Sequence, residues 1–300
     1  MPEKKKAYIQ LHISIFLWGF TAILGKVIDT GQVQLVWYRL IMVCICMLFF
    51  PSLWRNLKTV KPIDVLRISG IGCVIVMHWL CFYGSIKYAD ISVSLCCLAT
   101  TSFFSSLLGP VFGNQKIKAH ELLLGLLVIP GIYMIFHFST FQPVGIILGL
   151  GAALFAAIFT LLNKRMVDTH HAFSLTFIEF VSGFIFLTAL LPLYFYFTPT
   201  TTMHISTHDV GYIALLSVAC TLLPFNLSLY ALRHLSAFTA NLSVNLEPVY
   251  GIIMAMFIFK EYNELNTGFY AGAAVILLSV FIHPFLQSKY GEKKNTVMIE

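Results

Sequence analysis

The stretch from Leu122 to Phe138, LLLGLLVIPGIYMIFHF, contains no Asp, Glu, Lys or Arg and no alternation of polar with apolar positions. A lipid-facing strand alternates over about ten residues, whereas a helix crossing a bilayer needs about twenty residues of near-continuous apolar character. The stretch therefore reads as a membrane helix, and a β-barrel is disfavoured. Working outward, the same rhythm recurs at 8–28, 33–51, 65–86, 89–113, 121–138, 144–163, 172–197, 208–231, 235–259 and 266–287. Ten such helices consume about 200 positions, which leaves room for loops and for no soluble domain. Composition agrees: 58% hydrophobic and 11% charged, against about 45–50% and about 25% in soluble domains.

Lys4, Lys5 and Lys6 ahead of an apolar run resemble a secretory signal, but the run is too long and has no small-residue cleavage site. The expectation is a retained first helix. Cytoplasmic loops keep Lys and Arg, and with an internal amino terminus the inner side receives 15 of the 19, the outer side only Lys26, Lys87 and Lys260. Arg39 lies within a span. Both termini are expected in the cytoplasm, in a plasma (inner) membrane, and the net charge of +6 is a topology signal that gives no reason to expect nucleic acid. All seven cysteines fall in expected spans without metal-type spacing, so neither disulfides nor zinc are expected.

Shifting the chain by 147 positions lays Phe82-Tyr83-Gly84 over Leu229-Tyr230-Ala231, each followed by a charged turn and a helix rich in small and hydroxyl residues. Trp18 to Lys26 matches Phe155 to Lys164 more loosely. The expected organisation is all-α, with repeats at 1–139 and 140–300. Five helices per repeat is odd, so the second copy enters the membrane from the opposite side. Inverted repeats about an axis in the membrane plane are a common transporter plan, with a midplane site opened to alternate sides.

Trp18-Gly19 ahead of Lys26, Arg39, Tyr230-Ala231-Leu232, and Ser236 through Glu247-Pro248-Val249 to Lys260-Glu261 resemble the EamA-type branch of the drug/metabolite transporter superfamily along essentially the whole chain. The resemblance implies a carrier that moves small organic metabolites, often outward and often amino acids, by alternating access. The first half departs from the pattern. Thr100-Thr101 stand where Glu247-Pro248 stand in the second, and a proline follows only at Pro110.

Glu247 falls near mid-depth of its span, where an unpaired carboxylate is costly. Substrate or proton binding is the expected role. Arg39 would anchor an anionic group or the outer gate, or else pair permanently with Glu247 or Glu179. Glu179 itself reads as gate, packing or substrate contact. Prolines within spans remove a backbone bond, and Pro248 is the foremost hinge candidate. The expected substrate cavity comprises Trp18, His78, Trp79, Thr100, Asn226, Asn241, Asn245 and Glu247, pairing aromatic faces with amide and imidazole groups. His170, His171, His204 and His208 read as solvated loop residues. Glycines four apart, at 109/113, 145/149 and 268/272, suit close helix packing within a monomer or weak dimer.

No GxxxxGK loop is present, so neither ATP coupling nor another cofactor is expected. The expected activity is secondary-active export of a small molecule, with proton coupling open. A channel-like facilitator or an intramembrane enzyme is the alternative, although no catalytic residue set stands out.

Overall fold

A computed structural model describes residues 3–89, 91–112, 118–136, 142–199, 202–259 and 267–290, and every regular element among them is helical. Helices α1 (Glu3–Val27), α4 (Pro62–Tyr88), α8 (Pro143–Met166) and α9 (Ala172–Phe197) are each long and apolar enough to cross a membrane, as is the continuous unit Thr207–Leu232. That unit comprises α10 (Thr207–Ser217), a π-helical turn (Val218–Leu222) and α11 (Leu223–Leu232). The outside of the bundle is apolar: Leu66, Ile147, Tyr196 and Phe257 are each at least 69% exposed, a surface suited to lipid and not to water.

The expected span 33–51 is shorter than its apolar run. Helix α2 (Gln32–Leu48) turns through 90° into α3 (Pro51–Leu57). A proline restricts the residue before it to extended backbone, and Phe50 has φ −93 and ψ 114. Trp54 Nε1 donates to Leu48 O at 3.0 Å, satisfying a carbonyl at the end of α2.

Two further expected spans, 89–113 and 235–259, are each built from two helices. The first consists of α5 (Ile91–Leu98) and α6 (Thr101–Phe112), the second of α12 (Ala237–Val244) and α13 (Leu246–Phe259). The breaks fall at Ala99–Thr100 and at Asn245, within two residues of correspondence under the 147-residue shift. At the second, Pro248 has no N–H to offer the Val244 carbonyl four residues earlier. The first has no proline; there Thr100 Oγ1 donates to Cys97 O at 2.7 Å and Thr101 Oγ1 to Leu98 O at 2.5 Å, so hydroxyl groups add to the bonding of carbonyls in the turn before the break. Asn245 Nδ2 donates to Ser102 Oγ at 3.3 Å, linking one break to the other. Around them α12 packs on α6 and α13 on α5, so the two broken helices cross antiparallel.

The same packing occurs in both halves: α4 lies along α8 as α11 lies along α1, and α5 and α6 rest on α8 as α12 and α13 rest on α1. Helix α7 (Ala119–Phe136) packs against α14 (Thr267–Tyr290).

Each end of α4 is tied to other helices. At its carboxyl end, Lys87 Nζ donates to Ile28 O at 2.5 Å. Asp209 there accepts from Asp29 N at 3.1 Å and Thr30 N at 3.2 Å, and its own N–H donates to the α10 cap, Ser206 Oγ, at 3.0 Å. At the amino end, Lys164 Nζ donates to Leu232 O at 2.7 Å, Arg233 Nη2 donates to His170 O at 2.6 Å, and His170 pairs with Asp64 at 3.4 Å. His170 and His171 are therefore half-buried and engaged, a correction to their reading as solvated loop residues. Burial, and next the Arg233 charge, push the His171 pKa down, which suits an unprotonated Nδ1 accepting from Phe173 N at the start of α9.

Small residues set the closest crossings. A Cβ on Gly72 of α4 would stand 2.2 Å from Glu179 O and 2.3 Å from Ser182 Oγ of α9, and one on Gly183 would meet Val76 at 2.7 Å and Gly72 O at 3.1 Å. Gly145 and Gly149 of α8 similarly face Ala89 and Cys97, so this pair works within the chain. Gly72→Ala should destabilise the protein by about 1–3 kcal/mol, as overpacking does. Gly70→Ala, with nothing within 4 Å, should leave stability unchanged or raise it by up to about 1 kcal/mol. Unfolding of both variants in detergent checks the contrast.

Candidate functional site

The two breaks border a cavity of about 100 Å³, room for a few waters or one small organic group. Leu98 and Thr101 contribute from the first broken helix, and Asn241 and Glu247 from the second. Trp18, His78 and Trp79 complete much of the wall, and Phe82, Phe159 and Phe225 add further aromatic faces.

Arg39 is 2% exposed and reaches the cavity from α2. Its Nε donates to Thr221 Oγ1 at 2.6 Å, its Nη1 to Tyr83 OH at 2.8 Å, and its Cζ lies 3.9 Å from the Trp79 ring centre. The guanidinium is thus held on two edges and stacked on an aromatic face, an arrangement that stabilises a buried cation. The local backbone explains Thr221. Pro224 cannot bond the Cys220 carbonyl, and the helix just before it widens into the π turn, where Thr221 Oγ1 donates five residues back to Leu216 O at 2.7 Å. Such turns displace a side chain from its α-helical register. The Pro224 carbonyl accepts from Ser14 Oγ at 2.9 Å.

Glu247 is 5% exposed and sits in the first turn of α13, where unpaired N–H groups favour negative charge. Among the described residues no ion pair reaches Arg39, Glu179 or Glu247. His78 Nδ1 meets Ala152 O at 2.8 Å, and since a carbonyl only accepts, the proton is on Nδ1.

Of the residues expected in the cavity, Trp18, His78, Trp79, Asn241 and Glu247 line it together. Three others are buried beside it. Thr100 is turned to its own backbone at the first break, and Asn245 spans the two breaks. Asn226 is held by Leu222 O at 2.9 Å and by the Thr176 hydroxyl at 3.3 Å. Arg39 lines the cavity, whereas Glu179 does not. Pro248 belongs to α13, but its side chain lies outside the described residues.

Sequence reasoning missed Thr221, Thr101 and Asn163 as lining residues and Tyr83 as a partner of Arg39. The repeated Phe82-Tyr83-Gly84 motif had marked Tyr83, and Pro224 three residues on was the signal for Thr221. Removing one acceptor from a buried guanidinium leaves a donor unsatisfied, at about 1–3 kcal/mol. Tyr83→Phe and Thr221→Val should each destabilise by that amount, and Thr221→Ser, which keeps the oxygen, by much less. Thermal unfolding of the purified variants measures this.

The chain matches the EamA-like transporter family twice, over 5–137 and 143–283. It is 26% identical over 197 residues to the uncharacterized transporter YxxF of Bacillus subtilis (strain 168), and the match spans 62% of this chain and 62% of that relative's length. A protein of known crystal structure superposes with a TM-score of 0.70 over 96% of this chain and 99% of its own, and at 13% identity that likeness shows the fold alone. With two family matches covering nearly its whole length and several helices able to cross a bilayer, the chain is a multi-pass membrane protein that belongs to the EamA-like transporter family.

Proposed function

We propose that this protein is a secondary-active exporter of small organic metabolites, such as amino acids, working by alternating access. Its ten spans form two inverted five-helix repeats, with α5/α6 and α12/α13 as the discontinuous fourth and ninth. The observation that carries the reading is the antiparallel meeting of two broken helices beside a cavity that holds a buried guanidinium and a buried acid. Discontinuous helices at a repeat interface, with a helix start turned to the site, are a recurring transporter design. The reciprocal packing of the halves supports the inverted relation.

In this mechanism Glu247 and Arg39 meet opposite polar groups of the occupant while the aromatic wall covers its apolar part. The helix breaks lack the backbone ladder that stiffens a continuous helix, so rocking one repeat against the other bends the chain there first. The Asp209 and Lys87 ties close one end of the bundle. The Lys and Arg distribution supports an orientation with that end outside and both termini in the cytoplasm, in a plasma membrane.

Comparing metabolites released by cells with and without the gene identifies the cargo, and counterflow of that cargo in liposomes tests the mechanism. Saturable counterflow is expected; unsaturable flux indicates a channel, and a new product an enzyme. Glu247→Gln should fold and lose transport by more than about tenfold, about 1.4 kcal/mol, and full activity would remove Glu247 from the mechanism. For orientation, His204→Cys should react with an impermeant maleimide in intact cells and Thr169→Cys should not. The opposite pattern rejects the assigned sidedness.

A further inference from the structure

We propose that Glu179 and Asn163 form a proton-binding site in the cavity wall, which switches the hydrogen-bonding character shown to the occupant. The Glu179 side chain is 1% exposed, and neither carboxyl oxygen has a hydrogen-bond partner. Asn163 of α8 lies beside it. The Asn163 Oδ1 is also buried without a donor, while the residue itself lines the cavity. Three buried acceptor oxygens on these two neighbours are thus left without a donor, and a single proton on Glu179 supplies one: with the amide oxygen turned to it, the carboxyl O–H donates to Asn163 Oδ1.

Among the described residues no neighbouring cation offers the alternative of an ionised carboxylate. Among the elements packed on α9, α2 brings Arg39, which is committed to Tyr83 and Thr221, along with the thiols Cys44 and Cys46. From α4 come Asp64 and Arg67, paired together near His170, the thiol Cys73, and His78, held by Ala152 O. Arg55 of α3 is exposed, and Tyr230 of α11 meets His171. On α8, Lys164 is used by the Leu232 and Arg233 carbonyls. The hydroxyl one turn along α9, Ser182, donates to Glu179 O at 3.0 Å and not to the carboxyl. A buried carboxylate with no cation, and with a single amide as its one donor, is strongly disfavoured.

The amide can serve both protonation states. With Glu179 neutral, Oδ1 accepts from it and Nδ2 remains for the cavity. When the proton passes to cavity water, the carboxylate takes a bond from Nδ2 after a half-turn of the amide, and Oδ1 faces the occupant. Proton release therefore changes the wall from donor to acceptor, which couples acidity to cargo affinity. The coupling rests on the cavity being the transport site; the bound proton does not.

Infrared spectra of the purified full chain at neutral pH test the proton without any cargo. A buried protonated carboxyl gives a carbonyl band clear of the amide region. That band should vanish in Glu179→Gln, persist as a Glu179 band in Glu247→Gln, and move to higher frequency in Asn163→Leu, where its hydrogen-bond acceptor is gone. Should Glu179→Gln not fold, the Asn163→Leu shift alone decides. No band lost in Glu179→Gln overturns the proton site. A band lost there but unmoved in Asn163→Leu overturns the role of Asn163. Failure of liposome counterflow with the band intact rejects the transport reading and leaves the proton site standing.

Discussion

Inside a bilayer no water is available to hydrogen-bond a backbone group left open, so a helix can be interrupted only where the protein or an aqueous pocket provides partners. Most of this architecture follows from that constraint. The breaks at Ala99–Thr100 and Asn245 are served by threonine hydroxyls and by the Asn245–Ser102 bond. The π turn ahead of Pro224 is flanked by bonds from Thr221 to Leu216 O and from Ser14 to Pro224 O. Each irregularity lies on the cavity or next to it, and polar side chains needed to satisfy backbone groups there also furnish its chemistry. Thr221 does both, accepting from Arg39 while donating to Leu216 O.

The electrostatics follow the same economy. Arg39 is stabilised by neutral oxygens and an aromatic face instead of a carboxylate, which leaves Glu247 free of an ion pair on the same cavity. A cation and an acid that do not neutralise each other stay open to the polar groups of a bound molecule, as the two members of a closed salt bridge would not.

Helical character was legible in the sequence because continuous apolar runs have few other uses, and the deep charges Arg39, Glu179 and Glu247 stood out because such residues are rare in spans. The second break was foreshadowed by Pro248. The first was not: Thr100 and Thr101 look like ordinary packing residues until their hydroxyls are seen on carbonyls of the preceding turn. The bend after α2 was hidden because Phe49 and Phe50 prolong the apolar run past Leu48, although Pro51 carried the signal. Partners of Arg39 were out of reach, since hydroxyl residues are common in helices and only three-dimensional placement selects Tyr83 and Thr221. His170 and His171 misled because their polarity suits a loop, whereas Asp64 and Arg233 arrive from distant parts of the chain.

Interlocked side chains oppose sliding and rotation between helices, as teeth do between gears. Where α4 crosses α9, Gly72 and Gly183 are notches: Ser182 of α9 seats against the first and Val76 of α4 against the second. A side chain of each helix thus engages a notch of the other, and the crossing holds α4 and α9 together as one unit.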